Sequence, residues 1–138
     1  MSDEEATITY MVREPFEQAV RSLRKALSDG NLELAGELDI SSRIRQKLLV
    51  DTAPCRVFFV TAAPGVFEKP GADPYAAALT PLHVVISARG SQTEVHLLRP
   101  FSAQKQPMAP PTLAAFRRLQ IRVVEAVERI GMRCRFGA

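Results

Sequence analysis

Apolar positions along the chain change period several times, and each change marks an element. Residues 6 to 12, Ala-Thr-Ile-Thr-Tyr-Met-Val, are rich in β-branched and aromatic types and read as a strand. Glu14-Pro15 then breaks the pattern. Pro15 suits the first turn of a helix, and Phe16, Ala19, Val20, Leu23 and Leu27 recur at three and four along one stripe until Gly30. From Asn31 to Ile40 the apolar residues Leu32, Leu34, Leu38 and Ile40 take even positions. Gly36 continues that series and Glu33, Glu37 and Asp39 oppose it, which is the alternation of a half-buried strand. Ser41 or Ser42 caps a short helix that carries Ile44 and Leu48 and ends near Asp51.

Residues 55 to 63 are apolar on both parities. Val57, Phe59 and Ala63 lie on one side and Phe58, Val60 and Ala62 on the other, so a strand covered on both faces is expected. Three prolines and two glycines between Pro64 and Pro74 read as a surface loop anchored by Phe67, and Asp73-Pro74 opens a helical turn through Leu79. Leu82, Val84, Ile86 and Ala88 alternate, as do Val95 and Leu97 beyond Arg89-Gly90-Ser91-Gln92, which predicts a hairpin. Both apolar series share a face only if paired positions sum to an odd number. A two-residue turn at Arg89-Gly90 or Gly90-Ser91 provides that sum. Pro100, Pro107, Pro110 and Pro111 make residues 99 to 111 an extended connection. Thr112 then caps a last helix, in which Leu113, Phe116, Leu119, Val123, Val127 and Ile130 recur up to Gly131.

The resulting order, β-α-β-β-β-β-α, predicts one α+β domain over residues 1–138, with helices on one face of an antiparallel-rich sheet. A chain of 138 residues, 46% hydrophobic and 24% charged, builds its own core without staples. Eighteen Lys and Arg against 15 Asp and Glu leave a net charge of +3, short of a nucleic-acid footprint. Arg117, Arg118, Arg122, Arg129, Arg133 and Arg135 crowd the last helix and tail. There Arg118, Arg122, Glu125 and Arg129 share one face, and Glu125 is expected to pair with its neighbours, giving a solvated surface and not a phosphate track. Cys55 and Cys134 fit no CxxC or His-containing metal spacing and read as reduced thiols. With neither a basic leader nor an apolar run of about 18 residues, a mature cytoplasmic protein without membrane contact is expected.

Candidate chemistry gathers on the second sheet face. The odd hairpin register places His83, Val85, Ser87, Glu94, His96 and Leu98 opposite the apolar series, with the two histidines directly across from each other or on a diagonal. Together with Glu94 they suggest a divalent ion such as zinc, but no further fixed ligand accompanies them, so no metal or other cofactor is assigned. Because the strand at 55 to 63 is apolar on both sides, this second face needs a cover. Phe58, Val60, Val85 and Leu98 are placed there as a homodimer contact. Arg56, His83, Glu94 and His96 rim it and are the alternative set for a small molecule. On that placement Phe58→Asp yields a monomer. No G-x-S-x-G, Gly-rich phosphate loop or H-E-x-x-H occurs, which favours a dimeric binding or accessory module over an enzyme.

The stretch from Glu14 to Pro100 resembles the domain-of-unknown-function 302 family, a set of small bacterial proteins. The likeness lies in the order and approximate spacing of Pro-Phe-Glu-Gln-Ala-Val-Arg-Ser-Leu-Arg-Lys-Ala-Leu from Pro15, Leu-Ala-Gly-Glu-Leu-Asp-Ile-Ser from Leu34, Cys-Arg-Val-Phe-Phe-Val-Thr-Ala-Ala-Pro from Cys55, and the hairpin from Leu79 to Pro100. The resemblance implies a TATA-binding-protein-like α+β fold, β-α-β4-α, often assembled as a homodimer. That fold hosts unrelated roles and carries no implication of DNA binding. The family pattern has Cys-Asn-Pro after the third strand and Pro-Cys-Asn entering the hairpin. Here those positions read Ala62-Ala63-Pro64 and Pro81-Leu82-His83, so both prolines stay and both cysteines are gone.

Overall fold

The computed structural model describes residues 7–62, 80–98 and 110–134. Strand β1 (Thr7–Val12) leads into α1 (Phe16–Asp29), β2 (Leu32–Asp39) and a short α2 (Ile40–Leu48). Strands β3 (Cys55–Ala62), β4 (Leu82–Arg89) and β5 (Gln92–Leu98) follow, then α3 (Pro110–Glu128) and a two-residue β6 (Met132–Arg133). The six strands form one sheet in the order β2-β3-β4-β5-β1-β6, and every neighbouring pair is antiparallel. The mixed α+β architecture read from the alternation is therefore the architecture of the chain. The expected loop from Pro64 to Pro74, the turn through Leu79, residues 99–109 of the proline-rich connection and Arg135 lie outside the described residues.

Helices α1 and α3 bury their stripes against one sheet face. Phe16, Ala19, Val20, Leu23 and Leu27 of α1 and Phe116, Leu119, Val123 and Val127 of α3 are buried. Beneath them lie Ile8, Tyr10, Val12, Phe58, Val60, Val84, Ile86, Val95 and Leu97. The hairpin pairs Val84 with Leu97 and Ile86 with Val95, so paired positions sum to an odd number as the shared apolar face requires. Gly90, at φ +61°, takes the first central position of the two-residue turn, where a Cβ would be strained.

Three expectations change. The even-position series of β2 does not hold through the strand, because a bulge between Leu34 and Gly36 switches its parity. Leu32 and Leu34 face the helices, whereas Leu38 faces away, opposite Val57; Glu37 instead turns to the helix side and pairs with Arg24 of α1. Helix α2 is capped by Asp39 and not by a serine. The Asp39 carboxylate accepts from the Ser42 N–H at 2.9 Å and from the Ser41 hydroxyl at 2.8 Å, and those bonds hold it below the usual carboxylate range. Finally, α3 starts at Pro110, before the expected Thr112 cap, since a proline in the first turn gives up only an N–H that has no helical partner there.

Two of the carboxy-terminal arginines are structural. Arg122 Nη2 donates to Gly30 O at 2.8 Å and Asn31 O at 3.1 Å, and Arg129 Nη1 donates to Ala26 O at 3.2 Å. They reach the carbonyls at the end of α1, which carry the negative pole of that helix. Glu125, expected to pair with them, makes no ion pair among the described residues. Replacing Arg122 by Ala is expected to cost about 1–3 kcal/mol in urea unfolding. Arg117→Ala, on the exposed side of the same helix, should stay within about 0.5 kcal/mol of the parent.

Tyr10 contributes a pH dependence. Its hydroxyl is buried and donates to Glu128 Oε2 at 2.9 Å, and burial followed by that carboxylate pushes its pKa up to about 12. An unfolded tyrosine ionises near 10, so this contribution to stability is complete below pH 10 and is lost as pH rises towards 12. Tyr10→Phe is expected to flatten the urea midpoint between pH 10 and 12 while lowering it at pH 8 through loss of the Glu128 bond.

Candidate functional site

The sheet face turned away from α1 and α3 is built from alternate residues of five strands. The register brings Thr9 and Met11 of β1, Leu38 of β2, Val57 and Phe59 of β3, His83, Val85 and Ser87 of β4, and Glu94 and His96 of β5 onto that face. Val57, Phe59 and Val85 are half-buried and form an apolar stripe, with Val57 opposite Val85 and Phe59 opposite His83. Leu98, at the end of β5, is 55% exposed. Strand β6 adds Met132 opposite Met11, and Gly131 makes that pairing reachable, since a Cβ there would stand 3.0 Å from Met11 O.

Beside the stripe lies a small polar network centred on His96. Its Nδ1 is 2.9 Å from Thr9 Oγ1 and its Nε2 is 3.3 Å from Ser87 Oγ. Each hydroxyl can donate or accept, so a neutral imidazole is satisfied in either tautomer. Glu94 Oε1 stands 3.7 Å from the same Nε2, and Glu94 Oε2 accepts from Arg89 Nη1 at 2.9 Å. His96 pairs with Val85, which puts His83 one diagonal step away. The His83 ring, however, stands edge-on to Phe59 with centroids 5.1 Å apart, and the two imidazoles do not share a network. Among the described residues, no group of three His, Cys, Asp or Glu side chains gathers in metal-binding geometry.

Placement of the remaining candidates divides. Val85 and Leu98 lie on or beside the open face as expected. Phe58 and Val60 do not: both are fully buried on the helix side, and Val57 and Phe59 take the places expected for them. Both parities of β3 are apolar, so its composition held no signal for the choice. Arg56 shares the parity of Phe58 and is likewise removed from the rim. Its guanidinium lies 5.3 Å from the centre of the Phe16 ring and donates to Glu17 Oε2 at 3.0 Å, which makes it part of the α1 packing. Cys55 begins β3 opposite Ser87, where burial first and then Asp39 push its thiol up, so it stays protonated at neutral pH. Cys55 and Cys134 are both unpaired.

No helix among the described residues is long and apolar enough to cross a membrane. A search of curated proteins returns no match. Among solved structures, the chain is similar to the crystal structure of an uncharacterized conserved DUF302 protein from Bacillus stearothermophilus. The TM-score is 0.76 at 12% identity, over 92% of this chain and 99% of that one, a likeness of fold. The family model described as "Domain of unknown function DUF302" matches residues 8–127. That match covers most of the sheet and nearly all of α3, and the chain belongs to the DUF302 family.

Proposed function

We propose that this protein is a non-catalytic binding module of the cytoplasm that pairs with a second copy of itself through the open sheet face. The observation that carries this reading is the contrast between the two faces. One is sealed by α1 and α3, while the other presents Val57, Phe59 and Val85, with exposed Leu98 at the end of β5, under neither of those helices. A patch of this kind suits an isologous contact, in which the same stripe meets its own copy across a two-fold axis. The polar network does not oppose burial, because Thr9, His96 and Ser87 already satisfy one another and lose little on leaving water.

Catalysis and metal binding are less well supported by the same geometry. Ser87 and His96 form a hydroxyl–imidazole pair, but they sit mid-strand, where backbone N–H groups are engaged in the ladders and cannot serve a developing oxyanion. A metal at His96 would have to displace Thr9 or Ser87 and would find Glu94 held by Arg89. Native mass spectrometry of protein purified without chelator tests the reading. The expected spectrum is a dimer; a monomer, with or without a retained metal or small molecule, would overturn the reading.

A further inference from the structure

The end of α2 exposes three apolar side chains in a row. Leu48, Leu49 and Val50 are 68%, 87% and 52% exposed, half of the large hydrophobic side chains that stand exposed among the described residues. Leu48 belongs to the inward stripe of the helix, four residues after half-buried Ile44 and seven after buried Ser41. The helix outruns what it packs against, and the stripe emerges into water. Leu49 ends the helix in the left-handed region, at φ 56° and ψ 31°, with its N–H donating to Arg45 O at 2.9 Å. Glycine is the usual residue in that conformation, because a Cβ is strained there. A leucine that strains the backbone and gains almost no packing is not explained by the fold. Cations adjoin the tip: Arg43, Arg45 and Lys47 are all exposed. Arg45 is paired with Asp51 at 3.1 Å, whereas Arg43 and Lys47, one turn apart on the same side of α2, make no ion pair among the described residues. Basic residues in a last turn suit the negative end of the helix dipole, which accounts for Arg45 and Lys47 but not for their three apolar neighbours.

We infer that the tip of α2 docks on an anionic lipid bilayer. Leu48, Leu49 and Val50 enter the boundary between headgroups and acyl chains, and Arg43 and Lys47 meet the phosphates and carboxylates above it. Shape and charge together favour a bilayer over a protein. A protein would have to supply a fitted hollow for a side chain as exposed as Leu49, whereas acyl chains close around any apolar projection. A two-fold contact with a second copy through this tip would set its cations against the same cations. Attraction to a charged surface acts within about 10 Å at ~0.1 M salt, and a helical turn of about 5.4 Å keeps Arg43 and Lys47 inside that range. The chain's net charge of +3 adds no repulsion from an anionic surface. The expectation of no membrane contact rested on the length needed to span a bilayer, which a tip lying in the interface does not need. The inference stands on α2 and does not rest on pairing through the sheet.

The test is co-sedimentation of the full chain with vesicles of phosphatidylcholine, either alone or with phosphatidylserine as about one lipid in three. The parent should pellet with the anionic vesicles and be released as salt rises. Arg43→Gln combined with Lys47→Gln should weaken binding about 25-fold, roughly fivefold for each cation. Leu49→Gly removes the apex and the backbone strain together, so it should weaken binding at least ~10-fold while melting no lower than the parent. The chain contains no Trp, so Leu49→Trp makes the tip its only indole. That indole should shift its emission to the blue on anionic vesicles and be quenched by bromine-labelled acyl chains. A parent that ignores anionic vesicles, or binds phosphatidylcholine alone as tightly, overturns the inference. An indole that stays in water on vesicles, or a Leu49→Gly protein that binds like the parent, overturns it too. A Leu49→Gly chain that loses, without lipid, a self-association shown by the parent would give the tip to a second copy instead.

Discussion

Phe58→Asp should leave no folded protein. Phe58 is fully buried in β3, opposite Glu37 and Val84, with the Arg24 guanidinium of α1 5.3 Å from its ring centre. Truncating a phenylalanine in such a site costs about 3–5 kcal/mol, already a large part of the 5–15 kcal/mol that holds a domain together. A carboxylate adds the cost of a buried charge, and the nearest arginine is engaged with Glu37. Far-UV circular dichroism at neutral pH should show an unfolded chain, while Phe58→Leu should fold with a urea midpoint lowered by about 1–2 kcal/mol in equivalent stability. A Phe58→Asp protein with a native spectrum would place Phe58 at the surface, where the apolar pattern alone had put it and where it would have split a dimer.

The neighbouring substitution, Phe59→Asp, should do the opposite. Phe59 faces Gly36, whose missing Cβ would stand 3.6 Å from the ring, and meets His83 edge-on, so its side chain is half-buried on the open face. A carboxylate there remains in water in the single chain, and the expected loss of monomer stability is within about 1 kcal/mol. In a self-contact the same group faces its own copy near the two-fold axis, unpaired and desolvated. Association should weaken at least ~100-fold, as when a central anchor of an interface is lost. Circular dichroism should match the parent, and light scattering after gel filtration should report the mass of one chain.

How far the sequence could be read depends on where its alternation was unambiguous. The α1 stripe had a single apolar face, and the hairpin had a single parity that satisfied both strands, so these elements and their register followed directly. Strand β3 offered two equally apolar parities, and only its pairing with β2 and β4 decides that Phe58 and Val60 meet the helices. In β2 the bulge after Leu34 exchanged the two faces midway, which strict alternation does not foresee. Strand β6 has two residues, too few for any period, and is held by its ladder to β1 and by the Cys134 N–H to Thr9 O bond. Within the site, His83, Glu94 and His96 were placed on the correct face by register alone. Their separation into a Phe59 contact and a Thr9–Ser87 network depended on side-chain geometry that spacing does not encode.

The proposed contact between two copies of the chain through the open sheet face is open to a direct measurement. Sedimentation equilibrium over a dilution series, run on the parent, Phe58→Leu and Phe59→Asp together, tests it most directly. Pairing through this face gives twice the chain mass for the parent and Phe58→Leu, falling to the single-chain mass on dilution, and the single-chain mass at every concentration for Phe59→Asp. A parent that stays single at the highest concentration, or a Phe59→Asp protein that keeps the doubled mass, would contradict it.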